Sequence, residues 1–254
     1  MRYKILFLVL AAVVIALPCP ASDNRCVNCH GKIEKTDLTQ PVHSFKEWRQ
    51  SIHAKKGVTC DVCHGGNPQG TDQASAHKGI ERSSDPGSRI YFNKIPETCG
   101  SCHVQELENF KRSSHYKELK NSGKGPNCVT CHGSMATRVL SPRDMDSLCN
   151  LCHQKPTKAY ATLLSLDTSR KLTEQLRKKI REGESKRLDV SGQSADLKKA
   201  EQSYREALLV WHSFVMEKAL PAVQDLNHQI RNSLHELELK MKSGDGGQKR
   251  PAGK

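Results

Sequence analysis

The residues of this chain that are best suited to chemistry are cysteines and histidines in one recurring pattern. The spacing Cys-x-x-Cys-His occurs five times between positions 26 and 153. Two cysteines three positions apart lie about one helical turn from each other, so both sulfurs can reach the two vinyl groups of one haem. The adjacent histidine is then placed beneath the iron as its proximal ligand. The pattern predicts five covalently bound c-type haems, with thioether bonds at Cys26, Cys29, Cys60, Cys63, Cys99, Cys102, Cys128, Cys131, Cys149 and Cys152, and with proximal ligands His30, His64, His103, His132 and His153.

We number these motifs 1 to 5 in chain order, and three other uses of such cysteines explain them less well. A disulfide framework of ten cysteines has no need of a histidine after every second one. A zinc ribbon uses Cys-x-x-Cys pairs, but four-coordinate zinc explains neither five pairs nor the adjacent histidine. A thioredoxin-type motif occurs once, beside a βαβ pattern that this sequence lacks. Haem attachment is therefore the interpretation that accounts for every motif.

The composition indicates a core built from cofactors. Of the 254 residues, 36% are hydrophobic and 5% are aromatic, which is little apolar surface to offset the conformational entropy lost on folding. Haems spread over residues 26–153 would supply the missing apolar core. We therefore expect a mainly α fold, that of a haem-cored multihaem cytochrome with little strand. Haems at this density lie close together, which suits electron transfer.

The N-terminal residues predict export. Arg2 and Lys4 precede an apolar run from Ile5 to Leu17, and the small residue Ala21 follows. This order is typical of a secretory signal, and the run is shorter than the roughly 20 residues that span a bilayer as a helix. We expect a cleaved signal peptide at 1–21, a periplasmic protein, and no transmembrane segment in the mature chain.

The chain is basic, with 40 Lys and Arg against 27 Asp and Glu. Such an excess can indicate binding to nucleic acid, but an exported protein rarely meets it. Each haem also carries two negatively charged propionates. We therefore predict no nucleic-acid partner, and we expect the basic residues to balance the haem charge and to dock acidic redox proteins.

Seven histidines lie outside the motifs and are candidates for the second axial position of the irons. A second histidine gives a six-coordinate, low-spin iron suited to electron transfer, whereas an open position invites a substrate. Met135 and Met145 are alternative ligands, although packing is the more common role of methionine. The candidate distal ligands are His43, His53, His77, His115, His212 and His228, and we expect a non-ligand role for His235.

Four segments within about residues 43–153 share a pattern with known proteins: WRQSIHA at 48–54, VTCDVCHGG at 58–66, AHKG at 76–79, and Ser114-His115 ahead of motif 4. They resemble the multihaem cytochromes of the ammonia-forming nitrite reductase and hydroxylamine oxidoreductase superfamily. The resemblance implies that His53 and His115 are distal ligands, commonly of a haem other than the next in the sequence, and that His77 lies in a recurring ligand segment. The chain lacks the Cys-x-x-Cys-Lys motif that marks the catalytic haem in many of these enzymes.

The last third of the sequence predicts long amphipathic helices. Pro156 suits a helix start, Gly183 interrupts the first apolar stripe, a second helix runs over about 195–219, and Pro221 marks a break before a third. Together the patterns predict a signal peptide at 1–21, a pentahaem domain at 22–155, a C-terminal helical region with a long-helix hairpin at 156–243, and a disordered basic tail at 244–254.

Three functions remain open from the sequence. One of them, a subunit of a membrane-bound quinol-oxidising complex, would require the N-terminal segment to remain uncleaved. The other two differ in their haem ligands. The first is a periplasmic electron carrier, with mostly bis-histidine haems, between a membrane quinol dehydrogenase and a terminal reductase or other acceptor. The second is a small oxidoreductase in which one haem has an open site and acts on a nitrogen or sulfur compound. The number of axial ligands at each iron distinguishes the two.

Overall fold

Helices make up the regular structure of this protein. The computed structural model describes residues 24–32, 44–135 and 141–245, and in these ranges it has helices and no β-strand. The predicted mainly α fold is thus confirmed. The predicted signal peptide, His43 and residues 246–254 of the predicted tail lie outside the described residues.

We call residues 24–155 the motif region, and the described residues within it, 24–32, 44–135 and 141–155, fold into short helices joined by turns. A 3-10 helix, Phe92–Lys94, precedes the sixth of the α-helices. The α-helices are α1 (Arg25–His30), α2 (Phe45–Gln50), α3 (Ile52–Lys55), α4 (Cys60–His64), α5 (Gln73–Ala76), α6 (Ile95–Gly100), α7 (Val104–Phe110), α8 (Ser114–Ser122), α9 (Cys128–His132) and α10 (Pro142–Cys149).

Capping side chains fix the ends of these short helices, which are too short to be stable alone. Asn24 accepts a hydrogen bond from the backbone N–H of Val27 at the start of α1. Asn127 and Thr130 form a reciprocal capping box at the start of α9. Gly133 follows the motif histidine of α9 with a φ of 72°, a conformation that glycine adopts without steric cost. The sequence therefore sets where α9 begins and where the chain turns away after its histidine.

Three long helices form the C-terminal bundle: α11 (Thr157–Ser185), α12 (Ser191–Trp211) and α13 (Met216–Asp245). All three contact one another. Gly183 and Pro221, which the sequence patterns predict as interruptions, lie inside helices and do not end them. Gly183 lies inside α11, where a Cβ would come within 2.7 Å of the Val190 side chain, so it allows a close approach. Pro221 lies inside α13, five residues after the helix begins at Met216. Its missing N–H removes one backbone hydrogen bond.

The bundle has an apolar core in two parts. The part farther from the motif region contains Leu172, Leu176, Ile180, Leu226 and Ile230, with Leu237 and Met241 beside them. The other part joins the bundle to α10 and contains Met145, Leu166, Ala207, Trp211, Met216 and Val223.

Membrane-spanning character is absent from the described helices. No helix in residues 24–32, 44–135 or 141–245 combines the length and the apolar content needed to cross a bilayer.

Candidate functional site

Each motif places its histidine by a local backbone turn. In motifs 1, 2 and 4 the five residues lie within one short helix. In motifs 3 and 5 the helix ends at or just after the first cysteine. The backbone N–H groups of His103 and His153 still donate to the carbonyls of Cys99 and Cys149, at 2.9 Å in both cases. All five motifs therefore bring two sulfurs and one imidazole to the same side of a turn.

Four of the motif histidines face a histidine from outside the motifs. Each pair joins one proximal candidate to one distal candidate, and the ring centroids are 5.8 to 6.2 Å apart. The pairs and interplanar angles are His30–His77 at 48°, His53–His103 at 80°, His115–His153 at 49° and His132–His212 at 23°.

The ring spacing fits a metal ion held between the two imidazoles. A bond from a metal to an imidazole nitrogen is about 2 Å long, so two such bonds along one line put the ring centroids about 6 Å apart. The Nε2 atoms of His115 and His153 face each other at 3.5 Å. That distance is long for an N–H hydrogen bond, which is usually about 2.9 Å. The centroid spacing of the four pairs therefore fits two imidazoles on opposite sides of a metal ion, while the 3.5 Å between the Nε2 atoms of His115 and His153 is shorter than the about 4 Å that two such bonds span.

Both rings of three of the four pairs, all except His115–His153, line one large cavity. Its volume is about 2590 Å³, several times the roughly 300–1,000 Å³ of a pocket for one small ligand. Cysteines or histidines of motifs 1 to 4 line it, and so do His53, His77 and His212. A separate depression of about 520 Å³ lies beside His153 of motif 5. The space and the donor atoms thus fit several haems held side by side.

Burial favours the neutral form of three of the four imidazoles that lie outside the motifs, and metal ligation requires that form. Burial, and then the neighbouring His103, lower the pKa of His53. The pKa of His115 is lowered by burial and by His153. Burial also lowers the pKa of His212, although its hydrogen bond to Leu208 opposes that effect. Each of these rings can therefore present an unprotonated nitrogen to an iron.

Motifs that are successive in the sequence are adjacent in space. Asn24, the cap of motif 1, donates a hydrogen bond of 2.9 Å to Asp61 in motif 2. Helix α6 of motif 3 contacts α9 of motif 4. Thiols of neighbouring motifs lie close enough to interact in the pairs Cys26–Cys60, Cys63–Cys99, Cys99–Cys128 and Cys131–Cys149. The motifs thus form one continuous series from 1 to 5.

One predicted ligand, His228, is not among the histidines that pair with a motif histidine in the described residues. His228 is exposed on α13, where its Nε2 lies 3.2 Å from the side-chain amide of Asn232. It does not line the cavity, because it lies on the face of α13 that points away from the apolar core. His235 is exposed on the same helix. Met145, an alternative ligand, is buried in the apolar cluster beside Leu166.

Sequence reasoning missed an aromatic cluster at the junction of α12 and α13. Phe214 follows the end of α12, and its ring contacts those of Phe110, His115 and Trp211. No sequence signal predicts this role, because an isolated Phe in a connection has no motif around it.

Comparison with known proteins identifies a relative among multihaem cytochromes. Over 117 residues the chain is 27% identical to the C-type polyheme cytochrome OmcC of Geobacter sulfurreducens. The match covers 43% of this chain and 14% of that longer protein. No family model matches the chain, and no solved structure matches it.

The motifs, the paired rings and this relative together support one class of protein, a multihaem c-type cytochrome. Covalently bound c-type haems are implied as its cofactors. The predicted resemblance to the nitrite reductase and hydroxylamine oxidoreductase superfamily stays a prediction.

Proposed function

We propose that this protein is a periplasmic electron carrier with five c-type haems, each held by two axial histidines. The observation that supports the proposal most strongly is the set of four imidazole pairs, each of which joins a motif histidine to a histidine from elsewhere in the chain. An iron with two strong ligands has no free position for a substrate and exchanges electrons with little change in geometry. Bis-histidine ligation therefore favours electron transfer over catalysis.

We propose His43 as the second ligand of the haem at motif 2. Ser44, the residue that follows His43 in the sequence, caps α2 and lines the same cavity as His64. The position of Ser44 in the cavity lining, one residue after His43 in the sequence, is the observation that supports this assignment. With His43 included, each of the five motifs has one distal histidine assigned to it.

The protein's own residues would hold the haems and control their surroundings. When bound, the haem iron supplies one-electron exchange between its ferric and ferrous forms. The chain supplies the ligands, excludes water from the cavity, and balances the charge of the propionates. Arg170 and Arg205 both line the cavity, so they are suited to bind propionate oxygens.

The partners that we propose are a quinol-oxidising membrane protein and a terminal reductase or other acceptor. The adjacency of successive motifs supports a path along which electrons cross the molecule. The excess of Lys and Arg supports docking on acidic surfaces of partners. Electron exchange with such partners should slow steeply as the ionic strength rises, and a rate that does not depend on salt would refute the docking proposal.

The test of the function is an EPR spectrum of the oxidised holoprotein with the haem content measured on the same sample. Five haems per chain, all low-spin, are the expected result. A high-spin fraction of about one in five would show an open coordination position and would favour the small oxidoreductase instead. A His43→Ala variant should convert one haem to high-spin, with the exposed His228→Ala as the matched control that leaves the spectrum unchanged.

A further inference from the structure

The two distal histidines nearest the C-terminal bundle differ in what holds their second ring nitrogen. The Nδ1 atom of His212 lies 2.7 Å from the carbonyl oxygen of Leu208. A carbonyl oxygen only accepts, so Nδ1 must carry the proton and donate it. The Nε2 atom then has the free lone pair, as a ligand of the iron at motif 4 requires. His212 is thus held by a hydrogen bond, the usual arrangement for a metal-binding histidine.

His115 has no such hydrogen bond. Its Nδ1 atom is buried and has no hydrogen-bond partner within residues 24–32, 44–135 and 141–245. The ring of Phe214 packs against the imidazole in a T-shaped arrangement, with centroids 4.5 Å apart and an interplanar angle of 69°. Aromatic packing, and not a hydrogen bond to Nδ1, therefore contacts this ring.

Phe214 adopts a backbone conformation that is unfavourable for its residue type. Its φ is 55°, in the left-handed region where a side chain meets the following carbonyl. Such conformations persist when the surroundings enforce them, and they cluster at functional sites. Here Trp211 and Phe110 contact the Phe214 ring. The strained turn directs His212 towards motif 4 and Phe214, two residues later, towards the ligand of motif 5.

We propose that Phe214 is a positioning residue that holds His115 by ring packing alone and thereby keeps the reduction potential of the haem at motif 5 above that of the haem at motif 4. The inference rests on the proposed bis-histidine function. Donation from Nδ1 to a carbonyl makes an imidazole a more basic ligand. A more basic ligand stabilises the ferric form and lowers the potential. His212 has that donation and His115 lacks it, so electrons at equilibrium collect on the motif 5 side.

The first test is a redox titration of the wild-type holoprotein followed by EPR and visible absorption. His115→Met and His212→Met variants assign the signals, because each replaces one ligand and changes the spectrum of one haem. The haem at motif 5 should be reduced first, with a ratio of reduced to oxidised form at least about tenfold higher than at motif 4, which corresponds to about 59 mV.

The second test changes Phe214 itself. Phe214→Ala opens space through which water reaches Nδ1 of His115 and accepts a hydrogen bond from its N–H group, so the reduced-to-oxidised ratio at motif 5 should fall about tenfold while motif 4 is unchanged. The EPR signal of motif 5 should also shift, since the imidazole is free to rotate. Phe214→Tyr, which keeps the ring, should restore both properties. Phe92→Ala, at an exposed phenylalanine outside the cluster, is the matched control.

The outcomes separate this inference from the proposed function. If the haem at motif 5 is low-spin but is reduced together with or after that at motif 4, the role of Phe214 is refuted and the carrier function stands. If that haem is high-spin in the wild type, His115 is not its ligand, and both proposals fail at this motif. The wild-type titration decides the ranking even where Phe214→Ala does not fold.

Discussion

The motif region and the C-terminal bundle are both helical, but they are built on different kinds of core. Of the buried hydrophobic side chains in the described part of the chain, only Phe110, Leu119 and Met145 come before residue 157, and the rest lie in the bundle. The bundle packs leucine and isoleucine side chains on three long helices, as an ordinary helical protein does. The motif region instead has short capped helices around a cavity of about 2590 Å³. The motif region can therefore be poor in apolar side chains, because bound haems would take their place.

Preventing haem attachment should have the largest effect and should separate the two regions. In protein produced without covalent haem, residues 24–155 lose their core and should unfold, whereas the bundle keeps its own apolar contacts. Far-UV circular dichroism should show partial helicity, and limited proteolysis should leave a fragment that begins near Thr157. A haem-free protein that resists proteolysis throughout would show that the motif region has a sufficient core of its own.

A substitution that leaves a cavity in the bundle should lower the free energy of unfolding without changing the haems. Leu176 is fully buried in α11, and Leu→Ala changes at such positions destabilise proteins by about 2–5 kcal/mol. Leu176→Ala should lower the free energy of unfolding of the bundle by that amount, as measured by chemical denaturation, while the visible spectrum stays the same. Leu239→Ala on α13, where the side chain is 52% exposed, should cost far less.

Loss of His212 should change one haem and leave the others. This residue belongs to the bundle by sequence but faces His132 of the motif region, at 6.1 Å between ring centroids. His212→Ala should convert one haem in five to high-spin in the EPR spectrum, with little loss of helicity. An unchanged spectrum would mean that His212 contacts motif 4 without ligating its iron.

The smallest predicted effect concerns an ion pair in the motif region. Lys120 and Tyr116 donate hydrogen bonds of 2.8 Å to Glu97. Burial raises the pKa of Glu97, but these hydrogen bonds outweigh it and hold the pKa below its usual 4.5. The stabilisation is therefore present above that pH and is lost as the pH falls through the lowered value. Since Glu97 is well exposed, Glu97→Gln should cost at most about 1 kcal/mol, measured by thermal unfolding of the holoprotein at neutral pH and again at acidic pH, where the difference should vanish.

The sequence was sufficient for the helical class, and it predicts the attachment motifs and the candidate ligands, because each of these depends on residues close together along the chain. Motif spacing and amphipathic periodicity are local signals of this kind. The pairing of the imidazoles is not local: His53 precedes motif 2 but faces the histidine of motif 3. His212 directly follows α12 and His228 lies on α13, and the sequence patterns make them about equally good candidates for iron ligands. Only packing shows that the first faces a motif histidine and the second faces outward.

The predicted helix boundaries in the bundle differ from the observed ones for a related reason. Gly183 and Pro221 are residues that often end helices, and their types alone predicted breaks. Gly183 stays inside α11 because the Val190 side chain packs too closely there for a larger residue. Pro221 stays inside α13 near its start, where the loss is one backbone hydrogen bond. Propensity is overridden where tertiary contacts are strong enough.

The pairing of distant imidazoles also sets an order in which the protein can mature. A chain that emerges from its N-terminus can complete the His30–His77 pair early, since both residues lie near the start. The His132–His212 pair must wait until α12 has been delivered. Among the four described pairs, His132–His212 is therefore the last that can form, and its formation depends on the C-terminal bundle. A chain released before α12 would carry its haem at motif 4 with one axial position unfilled.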